Sequence, residues 1–187
     1  NNMSMDKEQQ WEIFNIPKKP IKRKANNKIK IDLVSLFSGC GGMDLGFHQE
    51  KFNIRYANDI DPHACETYKK NIGDHIVCED ITKLDYDTIP DADIILGGFP
   101  CQDFSMIWKR GGLETDRGNL YRNFVDIVEK KNPYMFIAEN VKGILTANKK
   151  KAIKQIISDF SETGIYGYET KPYLINFADY GVAQLRE

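Results

Sequence analysis

At 187 residues and 41% hydrophobic, the chain can bury one good core, and it shows no internal repeat of the kind that builds a solenoid. A formal net charge of −1 and a pI of about 6.4 exclude a dominating basic surface, so the class of partner must be read from a site. The sequence has neither a signal-peptide pattern nor an apolar run long enough to cross a bilayer, which sets the expectation of a cytoplasmic protein without membrane partners whose four cysteines stay reduced.

Residues 1–30 read as an extension: a polar start, a short helix carrying Trp11 and Phe14, then the basic run "KKPIKRKANNKIK", a solvated linker or a phosphate-contacting arm. From Ile31 the texture changes. "IDLVSL" is a short apolar run entering "FSGCGG", and "MDLGFHQE" starts a helix, giving strand, glycine turn, helix. "IRYAND" is a second strand, and Asp61 caps the helix that follows, with Pro62 at its first position. "HIVC" and "ADIILGG" are the third and fourth strands, and "NLYRNFVDIVEKK" is a helix with Leu120, Phe124, Ile127 and Val128 on one face. "YMFIAEN" is a fifth strand, followed by a helix from about Lys149 to Phe160 and a last strand-like piece, "YETKPYLINFADYG". Nearly all-apolar strands alternating with helices predict an α/β domain over residues 31–187, a doubly wound, mainly parallel sheet covered on both faces.

Such sheets bind ligands beyond the carboxyl ends of their strands. Those ends read "FSGCGG", "NDID", "CEDI", "GGFPCQDFS" and "ENV", so glycines, acids and one thiol meet at one rim. Gly39, Gly41 and Gly42 let the backbone turn and approach a ligand, although such glycines also serve plain packing. Asp59 stands where a nucleoside-binding fold sets a carboxylate on ribose hydroxyls. The third glycine of a G-x-G-x-x-G pattern is replaced by Asp44, and Asp61 and Asp80 would repel a pyrophosphate. A phosphate-free, positively charged adenosine ligand fits this rim, and S-adenosylmethionine has that description.

Cys40, Cys65 and Cys78 form no C-x-x-C pair and are not spaced with His48, His63 or His75 as zinc ligands, so no metal is expected and each reads as a small buried hydrophobe. Cys101 differs. It opens a loop after a strand, where backbone N–H groups favour a thiolate; Pro100 fixes its approach, and Gly97 and Gly98 leave room for a flat substrate. Glu139 brings a carboxyl to the same rim, one that burial could keep protonated near neutral pH. Thiolate and acid together suggest covalent catalysis, and no histidine beside the thiol supports a protease.

"DLVSLFSGCGGMDLGF", "NDID", "EDI", "GGFPCQDFS", "DRGNLY", "ENV" and "QLRE" resemble, in order and spacing, the cytosine-C5 DNA methyltransferases, over Ile31 to Glu187. The resemblance implies a Rossmann-like fold that uses S-adenosylmethionine and releases S-adenosylhomocysteine. It implies that Cys101 attacks C6 of a flipped-out cytosine, that Glu139 bonds the base's N3 and amine, and that Arg186, with Gln184 before it, holds the base or the thiol's surroundings. Asn140 would brace the loop bearing Pro100, Cys101, Gln102 and Ser105. Phe37, Gly39 and Gly41 would surround the methionine and adenosine, Asp59 the ribose, Ile60 and Asp80 the adenine, with Leu120 below. Ile60 replaces the aromatic residue often found there, and ordinary core is the plain alternative for Phe37, Ile60 and Leu120.

Three rivals stand beside this reading. A tRNA cytosine methyltransferase would share the chemistry, but such relatives usually read Pro-Pro-Cys where this chain has Phe99-Pro100-Cys101. A zinc deaminase fails because Phe104 occupies the second cysteine's place, which leaves no P-C-x-x-C element. A noncatalytic cofactor-binding remnant or subunit would not need Cys101 and Glu139. The resemblance also implies double-stranded DNA as partner and leaves room for a cognate restriction endonuclease as companion, while richness in Asn, Lys and Ile points to an AT-rich bacterial genome and a nucleoid-associated setting. Because the sequence stops at "QLRE", the expectation is a sheet incomplete at its C-terminal end and no recognition domain. Such a chain would need a C-terminal part or complementary subunit, and its 187 residues alone would not methylate DNA measurably.

Overall fold

The computed structural model describes residues 14–17, 30–100 and 120–184. Its centre is β2 (Asp32–Leu36), whose apolar run is buried from Leu33 onward because sheet neighbours flank it and helices cover its faces. Parallel partners lie on either side, β3 (Asn53–Asp59) with a register shift between Leu33 and Val34, and β5 (Ile94–Gly97). β4 (Ile76–Cys78) extends the sheet beyond β3 and β6 (Met135–Ala138) beyond β5, giving the all-parallel order β4-β3-β2-β5-β6. The chain runs outward to β4 and then returns to β5 beside β2. That reversal opens a crevice at the carboxyl ends of β2 and β5, as in doubly wound Rossmann-like folds.

Among the described residues, four helices pack on this sheet: α1 (Gly42–Gln49), α2 (Pro62–Asn71), α3 (Leu120–Lys131) and α4 (Gly143–Glu162). Asp61 caps α2, its Oδ1 accepting the His63 N–H at 2.8 Å, and Pro62 opens the helix. α3 buries Tyr121, Phe124, Val125, Ile127 and Val128, the stripe that its apolar spacing predicts. Against it, Phe136 of β6 stacks on Phe160 of α4 with ring centroids 3.9 Å apart. α4 begins at Gly143, ahead of the expected Lys149, because Ile144 is buried in the core and holds the extra turn there. Lys149 (φ 54) and Lys150 (φ 68) are left-handed within this continuous helix, so its backbone is locally distorted where its sequence signal begins.

Two expectations about the chain's flanks are corrected. Phe14 is not helical: β1 (Phe14–Pro17) pairs antiparallel with β7 (Tyr168–Lys171), while Trp11 lies outside the described residues. This ribbon depends on a partner over 150 residues away in sequence, which no local pattern reveals. The strand-like piece after Tyr168 ends at Lys171, since Pro172 has no N–H to donate, and residues 177–180 form a 3-10 turn capped by Asn176. Among the described residues, no helix is long and apolar enough to cross a membrane, and no group of three or more His, Cys, Asp or Glu could hold a metal.

Asp44 is a buried tie. Its Oδ1 accepts from Ser35 Oγ on β2 and its Oδ2 from Tyr68 OH on α2, both at 2.7 Å, and Tyr68 OH lies 3.0 Å from His75 Nε2. With the phenol proton spent on Asp44, Nε2 donates to the Tyr68 oxygen. Burial raises the Asp44 carboxyl above its ordinary range, partly offset by these bonds, and holds His75 below its own. Gly41, left-handed at φ 88, lets α1 approach α2: a Cβ there would sit 2.1 Å from Ile72 Cδ1.

Candidate functional site

A cleft of about 250 Å³ opens beyond the carboxyl ends of the strands. Phe37 follows β2, Asn58 and Asp59 end β3 with Ile60 next, and Glu79, Asp80 and Ile81 follow β4. Gly98 and Pro100 follow β5, and Leu120 opens α3 on the far wall. Among the described residues that line it, three are acids and none is Lys, Arg or His. Five predicted cofactor residues, Phe37, Asp59, Ile60, Asp80 and Leu120, line this one space.

On the β3–β4 side polar bonds fix the shape. Asp59 Oδ2 accepts the Gly39 N–H at 2.7 Å and Oδ1 the Asp61 N–H at 2.9 Å, so one carboxylate ties the glycine turn to the start of α2. The turn is strained: Phe37 itself is left-handed at φ 55, a conformation that costs a bulky residue free energy and clusters at functional sites. Gly39 (φ 54) has open space where a side chain would project. Asp80 Oδ1 accepts from the Thr82 N–H and hydroxyl at 3.0 and 2.8 Å, and those bonds hold its carboxyl below the ordinary range. Ile60 is 64% exposed, a large apolar side chain offered to whatever fills the cleft.

On the β5–β6 side the anchor is aromatic. Phe99, 3% exposed, packs its ring 5.3 Å from Tyr121 and 5.5 Å from Phe124, staking the chain to the core just before exposed Pro100. Asn140 Nδ2 donates to the Phe99 carbonyl at 2.8 Å, and its Oδ1 accepts the Val141 N–H at 2.9 Å. Glu139 follows β6, with its N–H donating to the Gly97 carbonyl at 2.9 Å. A Cβ on Gly98 would lie 3.4 Å from Glu139 Oε2, so this carboxylate reaches the cleft's edge. Two details differ from the sequence reading. Glu139 is exposed rather than buried, and the room at Gly97 is taken by Phe124, whose ring would lie 2.3 Å from an added Cβ.

Cys101, Gln102, Ser105 and Arg186 lie outside the described residues. Gly41 packs against α2 rather than lining the cleft, and Gln184 is exposed near the end of the described chain. The sequence reading passed over Asn58 and Glu79. Asn58, 1% exposed, donates through Nδ2 to the carbonyls of Val77 and Glu79 at 3.1 and 2.8 Å, clamping the end of β4 to β3. The available signal was position: a polar residue inside a buried strand, one place before the strand-end acid.

Comparison with known proteins gives one consistent family. Residues 31–187 match the family model described as C-5 cytosine-specific DNA methylase. Type II methyltransferase M.NgoFVII of Neisseria gonorrhoeae is 59% identical over 165 residues, covering 87% of this chain and 43% of that protein. Type II methyltransferase M.FnuDI of Fusobacterium nucleatum is 42% identical over 155 residues, 83% of this chain and 44% of that protein. The chain thus spans less than half the length of these curated relatives. Among solved structures, the Dnmt2 methyltransferase of S. pombe shares the fold at a TM-score of 0.58 and 20% identity, over 83% of this chain and 57% of that one.

Proposed function

This chain belongs to the C-5 cytosine-specific DNA methylase family, and we propose that it carries the cofactor cleft and the nucleophile of an enzyme that methylates C5 of cytosine in DNA. The observation that carries the proposal is the cleft itself, whose described lining has acids without cations, next to Pro100, at the switch point of the sheet. A lining of Asp59, Glu79 and Asp80 with apolar Phe37, Ile60 and Leu120 suits a cationic, phosphate-free nucleoside such as S-adenosylmethionine and disfavours a pyrophosphate. Asp59 would hold the ribose hydroxyls, Asp80 the adenine amine, and Ile60, Leu120 and Phe37 the apolar faces. When bound, that cofactor supplies an electrophilic methyl group.

The remaining chemistry falls to the chain's own groups. Cys101 Sγ would add to C6 of a cytosine turned out of the duplex, which makes C5 nucleophilic. Glu139 would hydrogen-bond N3 and the exocyclic amine, stabilising the ring as charge develops, while Asn140 holds the backbone before Cys101 through the Phe99 carbonyl. Arg186 and Gln184 would steady the base and thiol, with Gln102 and Ser105 supporting the substrate loop. Double-stranded DNA is the proposed substrate, and the type II names of the relatives point to a restriction endonuclease as companion. The test is methyl transfer from labelled S-adenosylmethionine by the full-length protein to mixed-sequence duplex DNA and, separately, to tRNA. Label at C5 of cytosine in DNA is expected; label confined to tRNA, or none with a folded, cofactor-binding protein, would overturn the proposal.

A further inference from the structure

Cys65 and Cys78 meet beneath the β3–β4 side of the cleft, and neither takes part in the chemistry proposed for Cys101. Cys65, on α2, is 2% exposed and packs with Ala57, Tyr68 and Ile76, whereas Cys78 ends β4 and is exposed. Cys65 Sγ donates to the Asp59 carbonyl at 3.5 Å, and Cys78 Sγ lies 3.9 Å from the carbonyl of the next residue, Ile60. Both sulfurs sit on the carbonyls of one dipeptide, and Cys78 is the direct parallel-strand partner of Asp59. One thiol reachable from solvent thus shares the Asp59–Ile60 backbone with one that is not.

We propose that Cys65 and Cys78 form a redox-sensitive dithiol, closed to a disulfide by hydrogen peroxide, whose closure weakens ligand binding in the adjoining cleft. Cys78 is the entry point because it is the exposed thiol. Its sulfur attacks one peroxide oxygen, the O–O bond breaks, the second oxygen leaves as water with the thiol proton, and Cys78 becomes a sulfenic acid. The Cys65 sulfur then attacks the Cys78 sulfur, and the Cys65 proton leaves with the sulfenic hydroxyl as a second water. Two thiols and one peroxide give one disulfide and two waters, a two-electron oxidation of the pair. Burial, with the neighbouring Cys78 thiol adding to it, pushes the Cys65 thiol up to about 12, so this second step is slow near neutral pH and quickens as pH rises. Drawing the sulfurs to about 2.05 Å consumes both S–H donors. Their acceptors are the carbonyls of Asp59 and Ile60, and Glu79 and Asp80 follow Cys78 directly, so the cleft wall must adjust.

The effect on ligand binding rests on the nucleoside reading of the cleft, whereas the disulfide itself does not. The experiment uses full-length protein, with Cys101→Ser as background so that oxidation of the proposed nucleophile cannot contribute. After peroxide, trypsin places Cys40, Cys65 and Cys78 on separate peptides, 31–51, 56–69 and 71–83. Expected is a 56–69/71–83 pair lighter by two hydrogens and restored by dithiothreitol. S-adenosylhomocysteine binding, followed by calorimetry, should weaken by about fivefold or more on closure, the lower end of typical coupling between sites. Cys78→Ser should abolish both changes. A Cys78 peptide that only gains oxygen, or that links to Cys40, overturns the site, and a 65–78 link with unchanged affinity overturns its coupling to the cleft. A reduced protein that forms the link but never binds S-adenosylhomocysteine overturns the nucleoside reading and leaves the dithiol standing.

Discussion

The two sides of the cleft are held by different physics. Toward β3 and β4 the backbone is clamped by partly exposed polar bonds: Asp59 takes two N–H groups, Asn58 two carbonyls, and Asp80 both donors of Thr82. Toward β5 and β6 the backbone is staked by buried aromatic rings around Phe99, with Asn140 as an amide brace. A polar clamp sets a few atoms that face a ligand, so its loss should appear in binding. An aromatic stake holds the backbone ahead of Pro100 to the core, so its loss should appear in stability and turnover.

The largest expected effect lies on the aromatic side. Cys101→Ser in the full-length enzyme should lower methyl transfer about a thousandfold or more with almost no change in cofactor affinity, because it removes a reaction step rather than a binding contact. Turnover and affinity measured in parallel decide it, and substantial turnover by the serine form would end the assignment. Phe99→Ala comes next. Emptying this site should cost about 3–5 kcal/mol of folding stability, seen in urea unfolding, and should lower turnover at temperatures where the protein remains folded. Stability close to wild type would mean that the backbone ahead of Pro100 is held by something other than its aromatic stake.

The same division explains what could be read in advance. Asp61 and Pro62 announce α2 because capping is local, and the stripe on α3 needs only helical spacing. The strand-end acids were legible because a parallel sheet delivers every carboxyl end to one rim. The unread features need distant partners. Gly97 looked like space for a substrate until Phe124 was seen to fill it, and Asp44 looked like a missing glycine although Tyr68, 24 residues on, is its partner. Asn58 matters only through the pairing of β3 with β4, and β1 exists only beside β7.

On the polar side the effect should be smaller and confined to binding. Asp59→Ala should weaken S-adenosylmethionine by roughly 1.5–3 kcal/mol, the worth of hydrogen bonds to a charged group, as measured by calorimetry on folded protein. Asp59→Asn, which keeps one carbonyl acceptor for the N–H groups of Gly39 and Asp61, separates the tie from the ligand contact. If Asn restores affinity fully, the residue serves only to hold the turn.

The smallest effect should come from beneath that side, at His75. Burial lowers its pKa; the Asp44 and Asp74 carboxylates work against that shift and His48 with it, and the net result stays below the ordinary 6.5. A histidine kept neutral by folding lends stability that is fully present above the unfolded pKa. As pH falls below 6.5 the unfolded chain takes up a proton that the folded chain refuses, so this stability drains away until the folded pKa is passed. Asp44 acts with the opposite sign at lower pH, because its raised pKa means that the folded state gains protons first as pH falls toward the unfolded value of 3.8. The His75 signature is therefore a decline in urea midpoint between about pH 7.5 and about pH 5.5, over which an ordinary histidine titrates. His75→Gln retains an N–H donor for the Tyr68 oxygen but cannot titrate, so its midpoint should be flatter across the same interval. An equal decline in wild type and variant would place the pH dependence elsewhere and reduce the network to packing.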